Sequence, residues 1–151
     1  MRIHIGSDHA GLEFKGKIIS HLQSQGHEVT DHGPHTFEPL DDYPIFCIPA
    51  AIATATDVGS LGIVLGGSGN GEQIAANKVK GIRAALVWNE TTAIAAREHN
   101  DANVIAIGGR MHTQDQALAL VDLFIATPFT HEERHERRIG LITNFEETGT
   151  I

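Results

Sequence analysis

Residues 61–65 read Leu-Gly-Ile-Val-Leu, an apolar run with no polar alternation. A strand that faces water on one side alternates. One that does not is covered on both faces, as parallel strands are when crossover helices flank the sheet. The rest of the chain fits this pattern. Short apolar runs at 3–6, 28–31, 84–87 and 104–107 predict further strands. Helices are predicted over 12–25, from about 43 to 55, over 71–78, up to about 98, from 113 to 126 and from 130 to about 147. Gly26 is placed as the cap of the first helix. Thr113-Gln114-Asp115-Gln116 and Thr130-His131-Glu132-Glu133 both have capping-box spacing. Strands alternating with helices imply right-handed crossovers and a five-stranded parallel sheet in an α/β fold. A chain of 151 residues suits one domain over 1–151 with one core. Aromatics are only 5% of the residues, so that core must be built from Ala, Ile, Leu and Val.

In such a sheet, ligands bind beyond the carboxyl ends of the strands. Ser7-Asp8-His9, the loop 32–42 leading to Tyr43, the turn 66–72, Trp88-Asn89 and Gly108-Gly109-Arg110 all follow strands, and are expected to open on one edge. The turn Gly66-Gly67-Ser68-Gly69-Asn70-Gly71-Glu72 is the most informative of them. Successive glycines let backbone N–H groups converge on one point, which suits a phosphate or a developing oxyanion. It is not a P-loop, because Glu72 and Gln73 stand where Lys and Ser/Thr would be needed. It is not a dinucleotide fingerprint either, since it follows the third strand and no acidic residue ends the next one. A carboxylate beside an anion hole suits enediolate chemistry, with Glu72 moving the proton. First-turn glutamates also simply complement the helix dipole. The residues alone leave both roles open.

The same holds elsewhere. Arg134 and Arg138 are four residues apart on one helix face, where two guanidiniums can hold a phosphate. They can equally form a solvated face paired with Glu132, Glu133 and Glu136. His99 follows a helix and fits a C-cap, Asp8-His9 fits N-cap chemistry, and Tyr43 before Pro44 fits a turn. His131-Glu132-Glu133-Arg134-His135 matches the zinc motif H-E-x-x-H, but its charged interior positions and the short remaining chain disfavour a metal site. Cys47 lies among apolar neighbours and is expected to be a buried structural thiol. Trp88 is expected either to line the pocket or to meet a partner chain.

Several segments together resemble the type B ribose-5-phosphate isomerases, a family that includes galactose- and allose-6-phosphate isomerases. They are Gly6-Ser7-Asp8-His9-Ala10-Gly11, Asp42-Tyr43-Pro44, the turn 66–72 running into Ile74-Ala75-Ala76-Asn77-Lys78, Arg97-Glu98-His99-Asn100, Ile107-Gly108-Gly109-Arg110 and Arg134-His135-Glu136-Arg137-Arg138. The resemblance implies a Rossmann-like three-layer α/β/α sandwich. It implies a homodimer with shared active sites, towards which the C-terminal helix, about 130–147, reaches its partner. It implies no metal and no organic cofactor. Glu72 would carry the proton between C1 and C2, in place of the cysteine that many members have at the position of Gly66. Ser68 and the backbone of Gly67, Gly69, Asn70 and Gly71 would hold the enediolate. His99 with Asp8 would open the sugar ring, Asn100 would support the sugar oxygens, and Tyr43 would touch the substrate. The phosphate would meet His9 and Arg110 of one subunit and Arg134 and Arg138 of the other.

The expected activity is interconversion of ribose 5-phosphate and ribulose 5-phosphate. Isomerisation of allose or galactose 6-phosphate and a non-catalytic nucleotide-binding module are the alternatives. A net charge of −8 argues against nucleic-acid partners. A single cysteine, an N-terminal apolar run too short for a signal peptide, and no stretch near the ~20 apolar residues of a membrane span predict a cytoplasmic protein without membrane contact.

Overall fold

The computed structural model describes residues 1–151. Five parallel strands, β1 (Arg2–Ser7), β2 (Glu28–Asp31), β3 (Leu61–Gly66), β4 (Ala84–Leu86) and β5 (Val104–Gly108), form one sheet in the order β2-β1-β3-β5-β4. The helices are α1 (Leu12–Ser24), α2 (Pro44–Thr56), α3 (Asn70–Ala76), α4 (Glu90–Glu98), α5 (Gln114–Ala126) and α6 (Glu133–Thr148). The expected α/β sandwich is present. β3 and β5 are buried at every position. Alternate side chains of β3 and β5 feed two cores. Ile63, Leu65, Ile105 and Ile107 pack with Ile18 and Leu22 of α1, Ala93 and Ala96 of α4, and Leu120, Val121 and Phe124 of α5. Val64, Val104 and Ala106 pack on the other face with Cys47, Ala50 and Ala51 of α2 and Ala76 of α3. The predicted aliphatic core is therefore split by the sheet. β2, at one edge, is only half covered.

The chain leaves β1 to one side for β2 and returns to the other side for β3, so the topology reverses between β1 and β3. The loops after these neighbouring strands diverge and leave a crevice at their carboxyl ends.

Most boundaries agree with the sequence to within a residue or two. α1 ends as expected: Gly26 takes φ +84, and the N–H of His27 bonds the carbonyl of Leu22. The box at Thr113 is formed, with its hydroxyl accepting from the Gln116 N–H and the Gln116 side chain accepting from the Thr113 N–H. The box expected at Thr130 is not formed. The Thr130 hydroxyl donates instead to the carbonyl of Glu98 at 2.8 Å, and His131 turns the chain with φ 56. α6 therefore starts at Glu133, with Glu132 as N-cap and no side-chain cap. His131 lies outside the helix, so the two histidines of the H-E-x-x-H match do not share a helical face.

Candidate active site

The crevice after β1, β3 and β5 is a cleft of about 370 Å³ lined by Asp8, His9, Gly67, Ser68, Gly71, Glu72 and Arg110. Each comes from a strand-to-helix turn on the expected edge. Asp8 is 8% exposed, and its Oδ1 accepts from the N–H groups of Ala10 (2.8 Å) and Gly11 (3.1 Å). The helix itself is capped at Gly11 without a side chain, so Asp8 belongs to the turn and not to a helix cap. Arg110 crosses the glycine turn: its N–H donates to the Gly67 carbonyl at 3.1 Å, and its side chain lies over Gly67.

Gly69 adopts φ +82, which turns the chain from β3 into α3. The Ser68 hydroxyl accepts from the Asn70 N–H at 3.3 Å. α3 has only seven residues, so any positive potential here comes from individual N–H groups of the turn, such as those of Gly69 and Glu72 that meet the Glu72 carboxyl, and not from a long macrodipole. Glu72 sits on its first turn, 4% exposed. Gly66 leaves room for it: a Cβ there would overlap the Glu72 carboxylate. Burial pushes the Glu72 carboxyl above its ordinary value, Asp8 adds to this, and the N–H groups of Glu72 and Gly69 pull it partly back. Tyr43 packs its ring and hydroxyl against Gly71, so the loop after β2 closes one side.

A second set of candidates, none of which follows a strand, lies on the opposite edge. α4 starts at the carboxyl end of β4 and runs back for nine residues, about 13 Å. His99 is its C-cap, as its bland reading held, at the amino-terminal edge of the sheet. The carbonyl of Asn100 accepts from Arg83, just before β4. α5 makes the same return journey, so Arg134 and Arg138 also start from that edge. There the His99 and His135 rings stack, with centroids 4.6 Å apart and 11° between planes. Arg134 pairs with Glu132 at 2.8 Å, which is the solvated-face arrangement within a single chain. Burial, then Arg134 and His99, push the His135 imidazole down. Within one chain, His99, Asn100, Arg134 and Arg138 do not meet Asp8 and Glu72.

Cys47 is fully buried, and burial, with Glu72 and Asp8 adding, pushes its thiol up, away from thiolate chemistry. Trp88 does not line the Glu72 cleft. It borders a separate cleft of about 440 Å³ with His112, which accepts a tilted ring contact at 6.1 Å. Two contacts are not legible in the sequence. Asp41 lies 2.6 Å from the His9 ring, and His135 stacks on His99. Asp8, His9 and Asp41 are also the group whose ligand atoms fall within 4.8 Å of one another, but the His9–Asp41 hydrogen bond already explains that closeness.

Fold and cleft together define a protein of the doubly wound α/β class, with a buried carboxylate beside a glycine-rich turn at the carboxyl edge of the sheet. Residues 3–142 match the Ribose/Galactose Isomerase family model. Ribose-5-phosphate isomerase B of Mycobacterium tuberculosis is 58% identical over 148 residues, covering 98% of this chain and 91% of that protein. The crystal structure of ribose-5-phosphate isomerase B from Mycoplasma genitalium with bound ribulose-5-phosphate superposes with a TM-score of 0.94 at 41% identity, covering 97% of each chain. The enzyme of this type from Clostridium thermocellum superposes with a TM-score of 0.94 at 43% identity, covering 99% of this chain and all of the other. The chain belongs to the ribose/galactose isomerase family, and it is an isomerase.

Proposed function

We propose that this enzyme interconverts ribose 5-phosphate and ribulose 5-phosphate through an enediolate, with Glu72 as the base. The observation that carries the proton step is the position of Glu72: 4% exposed, on the cleft, in the first turn of the helix that follows the glycine-rich turn. Its raised pKa brings it nearer to a working base at neutral pH than an exposed glutamate. The five-carbon substrate is supported by relatives that carry the name ribose-5-phosphate isomerase B.

In the proposed sequence, Asp8 and His99 transfer protons that open the furanose ring. Glu72 then takes the C2 proton. The Ser68 hydroxyl and the N–H groups of residues 67–71 stabilise the charge that develops on oxygen, and Asn100 and Tyr43 steady the sugar. Glu72 returns the proton to C1. His9, Arg110, Arg134 and Arg138 hold the phosphate, whose binding orients the reacting carbons. Fixed N–H groups supply the positive potential, so no step calls for a metal.

Because His99, Asn100, Arg134 and Arg138 stand on the far edge of their own sheet, this chemistry requires a second chain. We propose a homodimer in which each cleft receives these four residues from its partner. α6 supports this: only His135 of its residues is buried, and Leu141, Ile142 and Phe145 are 47%, 54% and 55% exposed. An unpartnered apolar stripe of this kind marks an interface.

The test is turnover by the purified protein in EDTA, offering ribose 5-phosphate, free ribose, allose 6-phosphate and galactose 6-phosphate in parallel. Conversion of ribose 5-phosphate but not of free ribose is expected. Conversion of only a six-carbon phosphate would keep the mechanism and change the substrate. Inactivity on all of them would overturn the proposal.

A further inference from the structure

We propose that Asp41 is a positioning residue: it pairs with His9 through a part-buried hydrogen bond and presents the His9 Nε2–H to the substrate phosphate. This rests on the phosphate role of His9 proposed above. Asp41 comes from the loop between β2 and α2, two residues before Tyr43. Its Oδ1 lies 2.6 Å from His9 Nδ1 and also accepts the His9 backbone N–H at 3.0 Å. One carboxylate oxygen thus fixes both the backbone and the ring of His9. The Asp41 side chain is 7% exposed and that of His9 24%, so the bond is shielded while the ring still reaches the cleft. Phe37 stands edge-on to the imidazole, with centroids 6.0 Å apart and 90° between planes, and limits its rotation from another side. Asp8 makes no hydrogen bond to the His9 ring; its Oδ1 accepts from the Ala10 and Gly11 N–H groups.

The tautomer follows from donor and acceptor chemistry. A carboxylate only accepts, so Nδ1 carries a proton. A phosphate dianion also only accepts, so Nε2 can meet it only as a donor. With phosphate bound, His9 is therefore doubly protonated and its charge balances Asp41. Such carboxylate–imidazole pairs fix ring orientation and tautomer. Both hydrogen bonds of the Asp41 carboxylate go to His9, through Oδ1. Without Asp41 the ring turns freely and its cationic form loses its counter-charge.

The experiment compares KM and kcat for ribose 5-phosphate in Asp41→Ala, Asp41→Asn, His9→Ala and the His9→Ala/Asp41→Ala double variant. A charge-assisted hydrogen bond of this kind is reflected in a KM raised about tenfold by Asp41→Ala, with kcat within about threefold of wild type. Asp41→Asn keeps an acceptor without the charge and should fall between. The double variant should match His9→Ala alone, because Asp41 acts only through the ring. Nitrogen-15 NMR of wild type saturated with inorganic phosphate should show both His9 nitrogens protonated, and Asp41→Asn should shift the ring toward a neutral form. This readout decides the matter even if Asp41→Ala folds poorly. An unchanged KM in Asp41→Ala, where His9→Ala raises it, would overturn the pairing alone, as would multiplying effects in the double variant. An unchanged KM in His9→Ala would instead remove the phosphate role of His9, and the pairing with it.

Discussion

Glu72 is a carboxylate kept at 4% exposure with Asp8 as a neighbour, and burial disfavours its charged form. This has two consequences of opposite sign. As the proposed base it must be ionised, so kcat/KM should fall with acid at a higher pH than an ordinary glutamate would dictate. As a folded-state group with a raised pKa, its contribution to stability is fully present below the unfolded value and is lost as pH rises through the folded one. Glu72→Gln should therefore lower kcat by roughly 10²–10⁴-fold, while melting at or above the wild-type temperature at neutral pH and losing that advantage in acid. Thermal scans across pH, beside the kinetics, check both halves. Gly66→Ala should also inactivate the enzyme, by about 10²-fold or more, because the new Cβ displaces the Glu72 carboxylate without touching substrate. A crystal structure of that variant with Glu72 unmoved would refute this. Glu72 was legible in the sequence as a candidate because the glycine turn announces an anion site. Asp41 was not: its neighbour Asp42 is an equal candidate by sequence, and only the loop's path brings one of the two to His9.

At the scale of elements, local signals were reliable where their atoms had no outside partner. The boxes at Thr113 and Thr130 are indistinguishable as sequence. One forms, and Thr113→Ala should accordingly cost about 1 kcal/mol in denaturant unfolding. The other fails because a tertiary partner, the Glu98 carbonyl, takes the Thr130 hydroxyl. Thr130→Ala should therefore loosen the junction between α4 and α6 without fraying a cap. The turn after α4 is another case that local sequence does not reveal. Asp101 has φ 41, and its carboxylate joins Arg83 at 3.0 Å and Arg97 at 2.8 Å. Those ion pairs hold the turn that carries His99 and Asn100. Asn tolerates this backbone region better than Ala. Asp101→Ala should thus lower stability by about 1 kcal/mol more than Asp101→Asn, as compared by chemical denaturation.

At the scale of the whole molecule, alternation of strand and helix made the sheet, its parallel order and its carboxyl-edge cleft readable in advance. What the alternation concealed was where the remaining candidate residues lie. Residues that follow strands share one edge, whereas His99 follows a helix and so sits on the opposite one, with Arg134 and Arg138 beside it. Sequence motifs carry no sign of which edge they occupy until the topology is traced. In a single chain the candidate residues thus stand at two separate edges, and the proposed dimer would join the cleft of one chain to the far-edge residues of the other. A twofold interface makes this testable by mixing. Glu72→Gln and Arg134→Ala chains are each crippled alone, but in a heterodimer one site collects Glu72 from one chain and Arg134 from the other, while the second site collects both defects. Random exchange makes half the dimers heterodimers with one good site of two, so the mixture should recover roughly a quarter of wild-type activity. Subunit exchange is followed independently by mass spectrometry of differently tagged chains. Exchange without recovery would mean that Glu72 and Arg134 serve the same chain, which the sheet could allow only if α6 left the edge on which it is seated.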